Sequence, residues 1–275
     1  MLYESTMIDW DDAFANMAHV PGSDGLPAFW AERALAYRAA TPNITQDIAY
    51  GDHPREKFDL VMPQGIPKGL AVFVHGGYWM RLDKSYWTDL AEGVRSNGWA
   101  VCLPSYTLAP EARISQMTAQ IAAAIDAAAD RIAGPIRISG HSAGGHLVSR
   151  MICKDTQLSK TTLDRLELCL SISGIHDLRP LLKTAMNETL RLDMEEASHE
   201  SAVLHRPVKG PRFHAWTGGS ERPEFIRQAK LLDNIWSSLD AQSTCTIDHD
   251  HHHFSVIEGL KSPDAAVTQA LTSNA

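Results

Sequence analysis

Short, predominantly apolar runs separated by helix-length stretches constrain this chain more than any other feature. Leu70-Ala71-Val72-Phe73-Val74, Ala100-Val101-Cys102-Leu103, Ile136-Arg137-Ile138 and Leu168-Cys169-Leu170-Ser171-Ile172 follow one another in this rhythm. Weaker runs follow at Phe213-His214-Ala215-Trp216 and Cys245-Thr246-Ile247. A strand with water on one face alternates polar and apolar residues. A run that is apolar throughout is buried on both faces, as inside a parallel sheet. Helical patterning lies between the runs. One segment starts at Asp83, a candidate N-cap, and stops at Gly98; others span roughly 114–133, 144–154, 223–240 and 255–271. Such alternation builds βαβ units.

Upstream the texture differs. Residues 45–62 alternate apolar and polar, with an interruption at Gly51-Asp52-His53-Pro54, which predicts an antiparallel hairpin. Residues 8–40 read as amphipathic helix broken near Val20-Pro21-Gly22, and residues 178–206 as short helices inserted as a cap. The expected fold is therefore a three-layer α/β/α sandwich: a mostly parallel sheet with an antiparallel N-terminal hairpin and a small helical cap. No repeat or Pro/Gly/Ser linker divides the chain, so one domain is expected over 1–275, with a helical leader over 1–44.

Composition narrows the function classes. With 44% hydrophobic residues in 275, the chain has material for a full core, which excludes disorder as its main state. Lys and Arg number 25 against 33 Asp and Glu, a net charge of −8. That balance lacks the basic footprint of a nucleic-acid or polybasic membrane binder. No apolar run reaches the roughly 18–20 residues that span a bilayer. Met1-Leu2-Tyr3-Glu4-Ser5 has neither the basic start nor the apolar stretch of a signal peptide. Cys102, Cys153, Cys169 and Cys245 are scattered, without a CxxC pair, and read as reduced thiols of a cytoplasmic protein. The expected partner is a small-molecule substrate, with neither nucleic acid nor membrane, and a homodimer is the one candidate assembly.

The sharpest local signal is Gly140-His141-Ser142-Ala143-Gly144, placed between a predicted strand and a predicted helix. A serine on so tight a strand-to-helix turn needs small neighbours two residues away on either side, and the turn lifts its Oγ to the sheet edge. Ser142 is the candidate nucleophile. His75-Gly76-Gly77-Tyr78-Trp79 directly follows the first apolar run. Its small residues let the backbone N–H groups of Gly76, Gly77 and Tyr78, with that of Ala143, turn toward a developing oxyanion. His75 reads as a structural residue that orients this loop. Tyr78 and Trp79, with the leader segment, are candidates for an aromatic-lined substrate pocket; packing beneath the loop is the equal alternative for Trp79.

A serine nucleophile needs a base and an orienting acid, which follow it in that fold's order as acid and then histidine. The base lies in Asp248-His249-Asp250-His251-His252-His253, before the final predicted helix, and spacing alone does not choose among its histidines. Consecutive residues rarely converge on one ion, so no metal is expected there. The acid candidates are Glu221, in a loop after a late strand, with Glu224 and Asp177 as alternatives.

These residues resemble the kynurenine formamidase (arylformamidase) branch of the α/β hydrolases, close to the hormone-sensitive-lipase-like esterases. The resemblance rests on His75–Trp79, Tyr106-Thr107-Leu108-Ala109-Pro110-Glu111, Gly140–His146, Pro223-Glu224-Phe225-Ile226-Arg227-Gln228 and His253-Phe254. The leader Asn16-Met17-Ala18-His19-Val20-Pro21 looks like that of bacterial members, so the likeness runs over nearly the whole chain. It implies Ser142 as nucleophile and His253, before the phenylalanine, as base. Glu221 stands where many members carry aspartate. It also implies hydrolysis of the formyl amide of N-formyl-L-kynurenine, a step of tryptophan catabolism, through an acyl-enzyme and without a cofactor. A carboxylesterase acting on small or aromatic esters is the alternative, and a silent hydrolase fold serving as a binding module is a third reading.

Overall fold

The computed structural model describes residues 8–273. Met1–Ser5, read above for a signal peptide, and the first residues of the 1–44 leader lie outside the described residues. Among the described residues eight strands form one sheet: β1 (Ile44–Ala49), β2 (Lys57–Val61), β3 (Leu70–Val74), β4 (Ala100–Pro104), β5 (Ile136–His141), β6 (Leu166–Ile172), β7 (Arg212–Gly218) and β8 (Ser243–Asp248). Their spatial order is β1-β2-β4-β3-β5-β6-β7-β8. β2 runs antiparallel to both β1 and β4, and every pair from β4 through β8 is parallel.

The apolar runs explain the three layers. Along a strand, side chains alternate between faces with period two. Leu70, Val72 and Val74 thus enter one core, together with Ala100, Cys102, Ile136 and Ile138. Ala71 and Phe73 enter the other, with Val101, Leu103, Leu168, Leu170 and Ile172. Helices Ile114–Ala129, Ala143–Arg150 and Pro223–Ser237 supply the first core. Helix Leu26–Ala40, the turns from Lys84 to Ser96 and helix Ala266–Thr272 supply the second. Burying one such side chain contributes about 1.5–3 kcal/mol. Arg137 sits inside a strand because Glu167 pairs with it and Trp99 lies 4.5 Å from its guanidinium.

Three elements differ from expectation. The segment after Asp83 is mostly 3-10 turns, with one α-helical stretch at Glu92–Ser96. Thr88, Asp89, Leu90 and Ala91 are all buried, and a one-sided helix cannot bury four consecutive side chains. The final helix is confined to Ala266–Thr272 because Pro263 cannot continue one from upstream. The break in the leader is longer than Val20–Gly22. After helix Trp10–Phe14 the chain makes 3-10 turns at Met17–His19 and Ser23–Gly25 before helix Leu26–Ala40. Between β6 and β7 lie 3-10 turns Arg179–Lys183 and Ala202–Leu204, flanking short helices Asn187–Leu190 and Met194–His199. All four cysteines are free thiols. No described helix is long and apolar enough to cross a membrane.

Candidate active site

Ser142 caps the helix Ala143–Arg150 at the end of β5, with φ 56° and ψ −117°, a backbone conformation that L-residues rarely adopt. The flanking glycines explain how so tight a turn is built. A Cβ on Gly140 would lie 2.3 Å from the Gly144 carbonyl oxygen, and one on Gly144 would lie 2.0 Å from that of Val74. Strand, turn and helix therefore approach more closely than any side chain permits.

Ser142 lines a cavity of about 380 Å³ at the ends of β3, β5 and β8. Gly76, Gly77 and Tyr78 line it from the loop after β3; His253 and Phe254 line it from the loop after β8. Much of the remaining wall is apolar: Phe14 and Met17 from the leader, Trp30 from the next helix, then Met80, Trp87 and Met186. The backbone N–H groups of Gly76, Gly77, Tyr78 and Ala143 donate to no acceptor among the described residues. Of the two pocket candidates only Tyr78 lines the cavity. Trp79 is fully buried away from it, edge-on to His146 at 5.2 Å, and packs beneath the loop.

The imidazole of His253 is buried, and its Nδ1–H donates to Glu221 Oε2 at 2.7 Å. The register of β7 with β8, which pairs Gly218 with Asp248, brings the two loops side by side. Glu221 Oε1 accepts from Gly218 N–H at 2.7 Å, Ser173 Oγ at 2.5 Å and Thr217 Oγ1 at 3.1 Å. Burial alone would raise the carboxyl's pKa. The His253 imidazole and these hydrogen bonds outweigh it and hold Glu221 below the usual glutamate value. The other acid candidates are committed elsewhere. Asp177 pairs with Arg179 at 2.8 Å, and Glu224 pairs with Arg227 at 2.7 Å. Ser142 Oγ and His253 Nε2 share the cavity, and no hydrogen bond joins them among the described residues.

Several supports surround the Glu221–His253 pair, and the sequence marks the position of some of them but not the contacts they make. His141, inside the serine motif, points its Nε2–H at the His253 carbonyl oxygen at 2.8 Å, and its ring lies 4.6 Å from that of His253. Burial pushes its pKa down to about 3, so it is neutral. Phe225 packs on the other side of His253 at 4.6 Å and meets Phe14 at 6.0 Å. Gln228 Oε1 accepts from the N–H groups of His176 and Asp177, both at 2.8 Å, which fixes the loop after β6. The Pro-Glu-Phe-x-Arg-Gln run thus braces the loops that carry Glu221 and Ser173. Asn16 Nδ2 donates to Tyr78 Oη at 2.8 Å, and Tyr78 Oη donates to the Phe14 carbonyl, tying the leader to the glycine loop. His75 is buried and neutral, its pKa pushed down to about 4 by desolvation. Its Nδ1–H donates to Gly76 O at 2.7 Å and its ring stacks on Tyr106.

The residues with metal-ligand spacing lie elsewhere. Among the described residues, Asp155, His199 and His205 bring their donor atoms within 4.8 Å of one another, but none of them lines the cavity. Both Asp155 oxygens accept from Arg150, at 3.1 and 2.6 Å. The run from Asp248 to His253 forms no such group among the described residues.

The sheet order and the strained serine between glycines define a class, and residues 71–220 match the model of the alpha/beta hydrolase fold. The chain belongs to the α/β-hydrolase family. Within it, the chain is homologous to the kynurenine formamidase of Danio rerio, 27% identical over 245 residues, covering 83% of this chain and 82% of that protein. The crystal structure of a candidate thioesterase from Silicibacter sp. is 44% identical, covers 97% of this chain and 100% of that one, and superposes with a TM-score of 0.91. Esterase B of Lactobacillus rhamnosis, 18% identical over 90% of this chain and 92% of its own, shares the fold with a TM-score of 0.66.

Proposed function

We propose that the protein is a serine hydrolase that cleaves the formyl amide of N-formyl-L-kynurenine or a similar aryl formamide. The observation that carries the reading is the buried Glu221–His253 pair, 2.7 Å apart, opening onto the same aromatic-lined cavity as Ser142. Homology to a kynurenine formamidase over most of the chain supports the substrate class.

Ionised Glu221 keeps the proton of His253 on Nδ1, leaving the Nε2 lone pair as base. Ser142 Oγ rotates toward Nε2, gives up its proton and attacks the formyl carbon. The carbonyl electrons move to oxygen, where the N–H groups of Gly77, Tyr78 and Ala143 hold the oxyanion, each worth roughly 3–4 kcal/mol in the transition state. The C–N bond then breaks, with the imidazolium proton passing to the leaving aryl amine. A water, deprotonated by His253, attacks the formyl ester of Ser142; the C–Oγ bond then breaks, formate leaves and the imidazolium proton returns to Ser142 Oγ. Besides substrate and water, the steps use side chains and amide groups of this chain. An aryl amide suits it, because conjugation of nitrogen with the ring weakens amide resonance.

Hydrolysis of a carboxylic or thioester by the same groups is the second reading, favoured by the 44% identical candidate thioesterase. Steady-state turnover of N-formyl-L-kynurenine beside p-nitrophenyl acetate separates the two. Release of kynurenine, followed by its absorbance, with a larger kcat/KM than the ester is expected. Ester cleavage with no kynurenine formed would replace the first reading by the second.

A further inference from the structure

Apart from its histidines, the cavity carries two charged side chains among the described residues that line it, Arg81 and Asp11. Their settings differ. Asp11 Oδ1 accepts the N–H of Ala185 at 2.7 Å, which ties the leader to the segment bearing Met186. Arg81 is exposed, and its guanidinium makes no hydrogen bond or ion pair among the described residues. Other arginines near the cavity are occupied: Arg55 donates to the carbonyls of Tyr106 and Leu82 at 2.7 and 2.6 Å, and Arg222 pairs with Asp12.

The backbone of Arg81 is nonetheless fixed. Its N–H donates to Gly77 O at 3.0 Å. Its own carbonyl oxygen packs so closely on Gly77, at φ 112°, that a Cβ there would lie 2.3 Å from it. Arg81 therefore belongs to the same turn as the free N–H groups of Gly77 and Tyr78. A guanidinium that is anchored at its base, free at its head and set beside apolar walls suits a planar anion, which it can hold with two parallel hydrogen bonds.

We propose that Arg81 anchors the carboxylate of the substrate, so that the class turned over is an aromatic amide bearing a carboxylate remote from the scissile bond. This rests on the formamidase reading above and adds to it a specificity residue. Arg81 touches no reacting atom; it selects by charge.

The test compares N-formyl-L-kynurenine with formanilide, an uncharged aryl formamide, in the wild-type protein, Arg81→Gln and Arg81→Lys. The readout is the ratio of kcat/KM for the charged over the neutral substrate. Loss of hydrogen bonds to a charged group predicts a fall of about tenfold to a hundredfold in Arg81→Gln, arising in KM. Arg81→Lys, which keeps the charge, should recover part of it. In the wild type the ratio should also decline with added salt. A ratio that stays within about twofold in Arg81→Gln overturns the proposal, even where both activities fall together. If neither formamide is cleaved, the formamidase reading itself fails. Inhibition of p-nitrophenyl acetate turnover by L-kynurenine then tests the anchor separately. Inhibition that Arg81→Gln weakens at least tenfold upholds it. Equal inhibition of both proteins, or none of either, overturns it.

Discussion

His253 Nδ1 and Glu221 Oε2, 32 residues apart in the chain, lie 2.7 Å apart in a buried pair. The pairing requires an ionised carboxylate, which the depressed pKa of Glu221 provides. It fixes the imidazole tautomer and stabilises the imidazolium formed when a proton arrives.

Glu221→Gln keeps the size of the side chain and removes its charge. Its amide can donate toward Nδ1 and favour the opposite tautomer. The expected loss is about 10³–10⁴-fold in kcat with the fold retained. Steady-state kinetics beside circular dichroism check it, and a loss below tenfold would remove Glu221 from the proposed machinery.

Phe225→Ala and Phe225→Leu separate packing from positioning. Phe225 is fully buried between His253 and Phe14. Alanine should cost about 3–5 kcal/mol of stability, and leucine less than about 1.5 kcal/mol. The leucine variant should still lose roughly tenfold or more in kcat, because the wall that holds the imidazole is no longer flat. Denaturant unfolding and kinetics on the same samples read both effects.

Gly144→Ala inserts a Cβ 2.0 Å from the Val74 carbonyl oxygen and 2.7 Å from that of His75. Neither is a movable side-chain end, so β3 and the serine helix must separate. A destabilisation of at least about 1–3 kcal/mol is expected. An unchanged midpoint of thermal unfolding would contradict the close approach.

Acid should weaken the fold from about pH 6 downward. His75 is held near pKa 4, and His141, His146 and His176 near 3, chiefly by desolvation. Their folded values lie below the ordinary imidazole value of 6.5, so the unfolded chain binds more protons as pH falls from 6.5 toward 3–4. Stability is then lost in that window, by up to roughly 1.4 kcal/mol per pH unit for each histidine. Urea unfolding between pH 7.5 and 5 measures the slope; a flat profile would mean that these rings are protonated in the fold.

What was legible in the sequence depended on how local the cause was. The interior strands stand out because burial on both faces erases alternation, as in Leu70–Val74 and Ala100–Leu103. The serine turn stands out because its glycines are demanded by neighbours a few residues away. The leader could be named as a wall of the pocket but its individual side chains could not, because Phe14, Asn16 and Trp30 acquire their places from Tyr78, Phe225 and Trp87, far along the chain. Ser173 was equally silent, since a hydroxyl that braces a carboxylate looks like any strand-end serine. The sequence leaves Trp79 between the pocket and a place beneath the loop, because its neighbour Tyr78 does not decide the direction of its ring. The backbone turn, with φ 58° at Trp79, sends its ring into the core.

Covalent labelling of Ser142 tests the central proposal most directly. Diisopropyl fluorophosphate should add one diisopropylphosphoryl group per chain, found on Ser142 by peptide mass mapping, as activity is lost. Ser142→Ala should be unlabelled and inactive, and His253→Ala should label at least a thousandfold more slowly. Full turnover by Ser142→Ala, or inactivation with the label on another residue, would contradict it.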